Sequence, residues 1–192
     1  MTTQDSRAPD AAPGTKGASH KKRNEFTLVA KVKPGHEKEI REGVGKIFRG
    51  EAGGDPIKIA ADTSLHDARF VLFDDDTRFA LMTSFEGSWD KYFDDHFAAF
   101  GSSWNVAFKH CEGYDENWLA ASPVDVDSWK KWLHDNQVTA AAYGTKYSDA
   151  TVKEIHRALR LQKAFEEVLD NPDAAKALEH PALRPLLELA AD

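Results

Sequence analysis

The sequence contains very little cysteine. Cys111 is the single cysteine among 192 residues, which excludes an intrachain disulfide and a cysteine-based zinc cluster. A lone thiol fits a reducing compartment, so we expect a cytoplasmic protein. Long apolar runs are also lacking, since none approaches the roughly 20 residues that span a bilayer. The N-terminus has no apolar segment of the kind found in secretory signals, so we expect no membrane partner.

Positive charge is in short supply. The 25 Lys and Arg residues are outnumbered by 32 Asp and Glu, giving a net charge of −7 and a pI of about 5.6. A chain that repels phosphate is a poor candidate for nucleic-acid binding. No H-E-x-x-H spacing and no Gly-rich phosphate loop is present, which disfavours zinc and nucleotide chemistry. Hydrophobic residues make up 41% of the chain, enough to bury a core.

Composition and periodicity divide the chain into three parts. Residues 1–24 are mostly small and polar with a short basic cluster, which predicts a disordered tail. Residues 25–115 alternate between strand-like and helix-like patterns and predict one α+β domain. Residues 116–192 predict a mainly helical extension packed on the same domain. Its strongest helix, over residues 152–169, begins with the capping box Thr151-x-x-Glu154.

The order of elements in residues 25–115 predicts a ferredoxin-like fold. Period-2 alternation marks strands at 26–33, 65–73 and 78–85, and apolar stripes at helical spacing mark helices after Pro34-Gly35 and from Trp89 to Phe100. Residues 104–110 fit a fourth strand, with a continued helix as the alternative, and 138–143 fit a further strand. The strand–helix–strand–strand–helix–strand order is typical of an antiparallel sheet with helices on one face.

Two stretches carry a family resemblance. Residues 32–40, VKPGHEKEI, resemble the strand–Pro-Gly–helix entry of the antibiotic-biosynthesis-monooxygenase-like branch of the dimeric α+β barrel superfamily, and the hairpin at 65–85 resembles its central strands. The resemblance implies a homodimer formed through the open sheet face and a small-molecule pocket in the barrel. That superfamily includes cofactor-free monooxygenases, polyketide cyclases, haem enzymes and ligand-binding proteins. The fold therefore leaves the reaction open, and the expected cofactor is either none or haem.

The strand at 65–73 carries polar residues on both faces, and both alternatives stay open. If one face lines the pocket, Asp67 and Arg69 form an ion pair or a ligand clamp. If the other does, His66 projects into the pocket beside Phe70. Burying such groups without partners is costly. The explanation that requires no functional role is that they lie near a strand end and contact solvent or a second subunit.

Other candidates lie on later elements. His96 lies inside the aromatic helical stripe, as either a buried structural residue or a general base. His110 adjoins Cys111 in a polar cluster, although its side chain would point away from the thiol on a strand. Trp104 fits either a pocket wall or the core. His156, on the late helix, is the candidate haem ligand, because several haem members of the superfamily hold their iron through a single histidine on a late helix.

We therefore predict an oxidoreductase-like enzyme, of monooxygenase or haem-assisted peroxidase type, acting on a small apolar or aromatic molecule. The alternative is a non-catalytic small-ligand-binding or protein-interaction module. The predicted site residues are, for catalysis, His66, Arg69 and His110; for substrate binding, Asp67, Phe70, His96 and Trp104; and for a cofactor, His156.

Overall fold

The computed structural model describes residues 19–20, 22–53 and 64–191. Residues 1–18 of the predicted tail lie outside this part. The chain divides into two units, the first ending at Thr151 and the second beginning at Val152. The predicted boundary at residue 115, and the packing of residues 116–192 on one domain, stay predictions.

The first unit is built on an antiparallel sheet of five strands. These are β1 (Ser19–His20), β2 (Arg23–Lys31), β3 (Leu65–Phe73), β4 (Arg78–Glu86) and β5 (Gln137–Val138). β4 lies between β2 and β3, and it pairs with β2 over the full length of both strands. The short β1 and β5 therefore share the other edge of β2. The order β5-β2-β4-β3 confirms the predicted ferredoxin-like fold.

Among the described residues of the first unit there are also five helices: α1 (Glu37–Phe48), α2 (Trp89–Phe100), α3 (Asn105–Phe108), α4 (Asn117–Ala120) and α5 (Val126–Asp135). Ser88 caps α2 as its position predicts, because its Oγ accepts a hydrogen bond from the Lys91 amide at 3.3 Å. The β2–α1 and β4–α2 connections bring these two helices to the same side of the sheet, where the aromatic stripe of α2 packs: Phe93 meets Phe26 edge-on with centroids 4.8 Å apart.

The prediction of a strand at residues 104–110 is wrong, and the helical alternative is correct. A 3₁₀ turn over Gly101–Trp104 runs directly into α3. Trp104 and Phe108, four residues apart, fit one face of a helix as well as one face of a strand. The helix stacks their rings 5.1 Å apart. The sheet edge expected for this segment is filled by β5, which shares only Val138 with the further strand predicted at 138–143. That prediction is wrong for residues 139–143, which are not in a strand.

The two faces of the sheet meet different surroundings. Phe26 and Leu28 of β2 and Phe79 and Leu81 of β4 face the helices and are buried in the core. On the outer face, residues 139–150 lie against β2. The Ala140 amide donates to the Glu25 carboxylate at 3.2 Å.

The second unit is helical. It contains α6 (Val152–Leu169), α7 (Ala175–Leu178) and α8 (Arg184–Ala190), with 3₁₀ turns at Pro172–Ala174 and Pro181–Leu183. The helix predicted over residues 152–169 is confirmed, and two short helices follow it in the described residues. Asn171 begins the first turn, since its Oδ1 accepts from the Asp173 amide at 3.0 Å. No helix in the described part of the chain has the length and apolarity needed to cross a membrane.

Two glycines of α1 have opposite surroundings. A Cβ at Gly43 would collide with the backbone carbonyl oxygen of Val106, because α1 and α3 pack closely there. A Cβ at Gly45 would meet the flexible guanidinium end of Arg49, 2.8 Å from Nη1.

We predict that Gly43→Ala and Gly45→Ala change stability in opposite directions. Gly43→Ala should lower the free energy of unfolding by about 1–3 kcal/mol, because backbone must shift to admit the methyl group. Gly45→Ala should raise it by about 0.5–1 kcal/mol, because alanine favours the helix. Urea denaturation followed by circular dichroism measures both. A Gly43→Ala variant as stable as Gly45→Ala would contradict the close helix approach.

Candidate functional site

A cavity of about 380 Å³ lies on the helix-covered face of the sheet. β3 and β4 form one wall, and α1, α2 and the following 3₁₀ turn form the others. The lining residues are Ile47, Phe48, Leu65, His66, Asp67, Ala68, Phe70, Leu81, Thr83, Tyr92, His96, Phe100 and Trp104. A concave, mostly apolar cavity with a few polar groups is the usual form of a small-molecule site.

Aromatic rings shape the walls of this cavity. Phe70 meets Phe48 edge-on with centroids 5.2 Å apart and stacks on Trp104 at 6.3 Å. Phe100 packs against Trp104 at 5.1 Å. Such rings offer faces and edges to a planar ligand, so the cavity suits a small aromatic molecule better than a strongly polar one.

His96 presents one ring nitrogen to the cavity. Its Nδ1 lies 2.9 Å from the carbonyl oxygen of Tyr92, one helical turn earlier. A carbonyl only accepts, so Nδ1 carries the hydrogen and Nε2 is left with a lone pair. Burial of this 2%-exposed side chain lowers the pKa of His96 to about 4, although the hydrogen bond to the Tyr92 carbonyl opposes the shift. His96 is therefore neutral at neutral pH.

His66 is placed in the cavity by an irregularity in β3. Leu65 pairs with Phe85 and Asp67 pairs with Ser84, so His66 is the extra residue of a β-bulge. Its Nε2 is buried and has no hydrogen-bond partner within the described chain. Burial, and secondarily the positive charge of Arg23, lower the pKa of His66 to about 4. A buried nitrogen without a partner costs about 1–3 kcal/mol, which a hydrogen-bonding ligand would recover.

Two hydroxyl groups complete the polar set. The Tyr92 ring stacks on Phe85 with centroids 4.1 Å apart. Burial raises the pKa of Tyr92 far above its usual value, and the nearby Thr83 hydroxyl, which has no hydrogen-bond partner within the described chain, only partly offsets this. The phenol therefore stays protonated. The cavity combines neutral imidazoles, which accept hydrogen bonds, with hydroxyls, which donate them.

The structure brings together some of the predicted site residues and separates the others. His66, Asp67, Phe70, His96 and Trp104 all line the cavity. Those outside its lining are Arg69 on the outer face of the sheet, His110 beyond the end of β2, and His156 on α6 of the second unit. The roles predicted for all of them stay predictions.

His110 has a different partner from the one its sequence neighbours indicate. Its Nδ1 lies 3.0 Å from Nδ1 of His36, so one ring donates and the other accepts. Burial, followed by the charge of Lys109, lowers the pKa of His110. Cys111 is fully buried, and burial raises the pKa of its thiol to about 12. A thiol in that state is a poor nucleophile.

Sequence reasoning missed Tyr92 and Thr83 as polar groups of the cavity. Tyr92 precedes His96 by four residues, which places both on one helical face. Thr83 interrupts the apolar alternation of β4 between Leu81 and Phe85. A polar residue at a core-facing strand position could have indicated that Thr83 lines a cavity.

The lining does not fit haem. No Lys or Arg side chain belongs to the described lining of the cavity, so nothing there neutralises the two propionates. Within the described chain, no group of three or more metal-ligating side chains comes together. His156 is exposed on α6.

Comparisons with known proteins give a partial likeness to solved structures. No protein-family model matches the chain, and no curated protein matches it. Among solved structures, the chain is similar to a Bordetella bronchiseptica protein provisionally named an antibiotic biosynthesis monooxygenase, the branch that the sequence resembles. Identity is 18% and the TM-score 0.37, over 48% of this chain and 88% of that one. The fold assignment rests on the strand order of this chain itself.

We predict that His96 makes the protein less stable in mild acid. The folded-state pKa of about 4 lies below the ordinary 6.5, so between these values the unfolded chain binds more protons. The contribution of His96 to the free energy of unfolding is therefore largest above about pH 6.5 and decreases towards pH 4, by at most about 3 kcal/mol. His96→Asn should flatten the pH dependence of the urea midpoint, while exposed His180→Asn should leave it unchanged. An identical slope in His96→Asn and the parent would refute the assignment.

We predict that His66→Leu stabilises the protein by about 1 kcal/mol, because it removes a buried nitrogen that has no partner. Thermal unfolding at pH 7.5 measures the effect. His66→Gln, which keeps a polar group there, is the matched control and should give no gain. A less stable His66→Leu would show that Nε2 has a partner in the folded protein.

Proposed function

We propose that this chain is an oxidoreductase-type enzyme that binds a small aromatic or mostly apolar molecule in the cavity between the sheet and helices α1 and α2. The observation that carries the proposal is the pairing of an aromatic cavity of about 380 Å³ with two neutral histidines, His66 and His96. In the absence of a fit for haem, the reaction we propose is of the cofactor-free monooxygenase kind.

Proton removal from an acidic O–H of the bound molecule is the step that these groups support. His96 Nε2 accepts the proton. A histidine with a pKa near 4 is a weak base by itself, but a substrate anion beside it favours the imidazolium and raises its pKa during the reaction. The Tyr92 and Thr83 hydroxyls stabilise the developing oxyanion by donating to it. The phenolate, which is easier to oxidise than the neutral phenol, supplies all four electrons. One atom of dioxygen forms a C–O bond at a ring carbon that loses its hydrogen and the other leaves as water, so that a phenol and O2 give a quinone and water.

The test measures binding and oxygen uptake separately. A panel of phenols and hydroquinones is titrated against the protein by tryptophan fluorescence, since Trp104 lines the cavity, and uptake is followed with an oxygen electrode. We predict that His96→Asn lowers uptake about 10²–10⁴-fold. The asparagine amide can still donate to the Tyr92 carbonyl but lacks Nε2, so binding should change little. His180→Asn is the control and should keep full uptake.

Unchanged oxygen uptake in the double variant His66→Gln, His96→Asn would refute the catalytic assignment. Failure of the whole panel to bind would refute the choice of cavity.

A second candidate is a non-catalytic binding protein for the same class of molecule. The low pKa values of both histidines favour it, because groups that stay neutral suit hydrogen bonding better than proton transfer. Saturable binding with no oxygen uptake for any panel member would support this candidate over the enzyme.

We also propose a homodimer, as the family resemblance implies, but with only part of the open sheet face as its interface. Residues 139–150 already lie against β2 on the outer sheet face, where Ala140 contacts Glu25. The part of that face left for a second subunit is centred on β3, where Phe73 is 37% exposed.

A further inference from the structure

A second cavity, of about 410 Å³, lies on the outer face of the sheet. Its floor is formed by β2, β4 and β3, and residues 140–145 form its side. The lining residues are Glu25, Thr27, Asp67, Arg69, Met82, Thr83, Ser84, Ala140, Ala142, Tyr143, Gly144 and Thr145. Asp67 and Thr83 also line the first cavity, but the other members take no part in the proposed reaction.

Buried hydroxyls without partners line this second cavity. Ser84 is 5% exposed, and its Oγ has no hydrogen-bond partner within the described chain. The Tyr143 hydroxyl is buried and without a partner in the same way. A buried hydroxyl without a hydrogen-bond partner destabilises the folded protein. Two of them facing one cavity indicate that a polar ligand completes their hydrogen bonds.

Opposite charges lie side by side on the β3 wall. Asp67 and Arg69 are two residues apart on one face, which separates their Cα atoms by about 7 Å. They form no ion pair with each other in the described structure, and the Arg69 guanidinium contacts the Met82 sulfur at 3.5 Å. Both charges are therefore available to a ligand.

A third charge lies across the cavity floor. Glu25 pairs with Ser84, and Ser84 pairs with Asp67 on its other side, so the three residues form one row across three strands. Glu25 is 6% exposed, and its carboxylate is oriented by hydrogen bonds from Thr27 Oγ1 at 2.8 Å and from the Ala140 amide at 3.2 Å. The row thus carries a carboxylate at each end and a hydroxyl in the middle.

We propose that this cavity binds a small zwitterion of the α-amino acid type. The ligand carboxylate pairs with Arg69, and the ligand ammonium lies between Asp67 and Glu25, with Ser84 Oγ as a further acceptor. A ligand with only a carboxylate would face two like charges, and a ligand with only an ammonium would leave Arg69 unpaired. The charge arrangement therefore discriminates against both.

The first experiment uses the full chain and the common L-amino acids, each at about 10 mM, the concentration needed to detect millimolar affinity. Thermal unfolding is the readout, and isothermal titration calorimetry follows for any amino acid that raises the midpoint. The methyl ester and the N-acetyl derivative of the best amino acid each lack one charge. We predict that the free amino acid binds at least about 10-fold more tightly than either derivative.

The variants assign each charge to its partner. Arg69→Gln should remove the preference for the free acid over the methyl ester, while Asp67→Asn should reduce the preference for the free amine over the N-acetyl derivative. Arg78→Gln is the matched control. Arg78 lies on the outer face of the sheet like Arg69, but at the far end of β4, where it pairs with Asp74. This variant should retain both preferences.

Two results would overturn the proposal. One is that no amino acid raises the unfolding midpoint, which would leave the two hydroxyls to bind only water. The other is that Arg69→Gln keeps the full preference for the free acid. Neither result bears on the oxidoreductase proposal, since oxygen uptake depends on His96 in the other cavity.

Discussion

The pairing of β2 with β4 is the interaction on which the rest of the structure depends. The two strands pair without a break from Arg23 opposite Glu86 to Lys31 opposite Arg78. This register turns Thr83 towards the helices and Ser84 towards the outer face. Because side chains alternate, a slip by one residue would exchange the two faces. The aromatic cavity and the polar cavity exist as distinct environments because this register is held.

β3 connects the two cavities by means of its bulge. The extra residue, His66, lets Leu65, His66 and Ala68 all reach the helix-side cavity, while Arg69 faces outwards. Burial of the imidazoles there opposes their protonation and leaves one nitrogen without a partner. Such costs are typical of functional sites, where stability is lower than the packing alone would allow.

Much of the fold could be predicted from local patterns. The alternation in residues 78–85 and the stripe from Trp89 to Phe100 each specify an element and its buried face, because those periods belong to the strand and the helix respectively. The alternation in residues 65–73 specifies a strand but not its buried face. The prediction for the segment at 104–110 failed because Trp104 and Phe108, four residues apart, satisfy both periods. Its helix is chosen by packing of the Trp104 ring on Phe108, a tertiary contact. A strand of two residues has too short a pattern to set its bounds, so the strand predicted at 138–143 was misplaced, and pairing with β2 defines β5.

For the candidate site, the sequence by itself determined the ingredients: an acidic, cysteine-poor α+β chain with His66 and Arg69 on one strand and His96 on an aromatic helix. It left open which face of that strand lines a pocket. Tertiary structure decided that both do, each in its own cavity, and that His110 pairs with His36 instead of joining them. The reason is physical. Alternation fixes which residues share a face, but only the bulge, the strand register and the segment at 139–150 decide what each face meets.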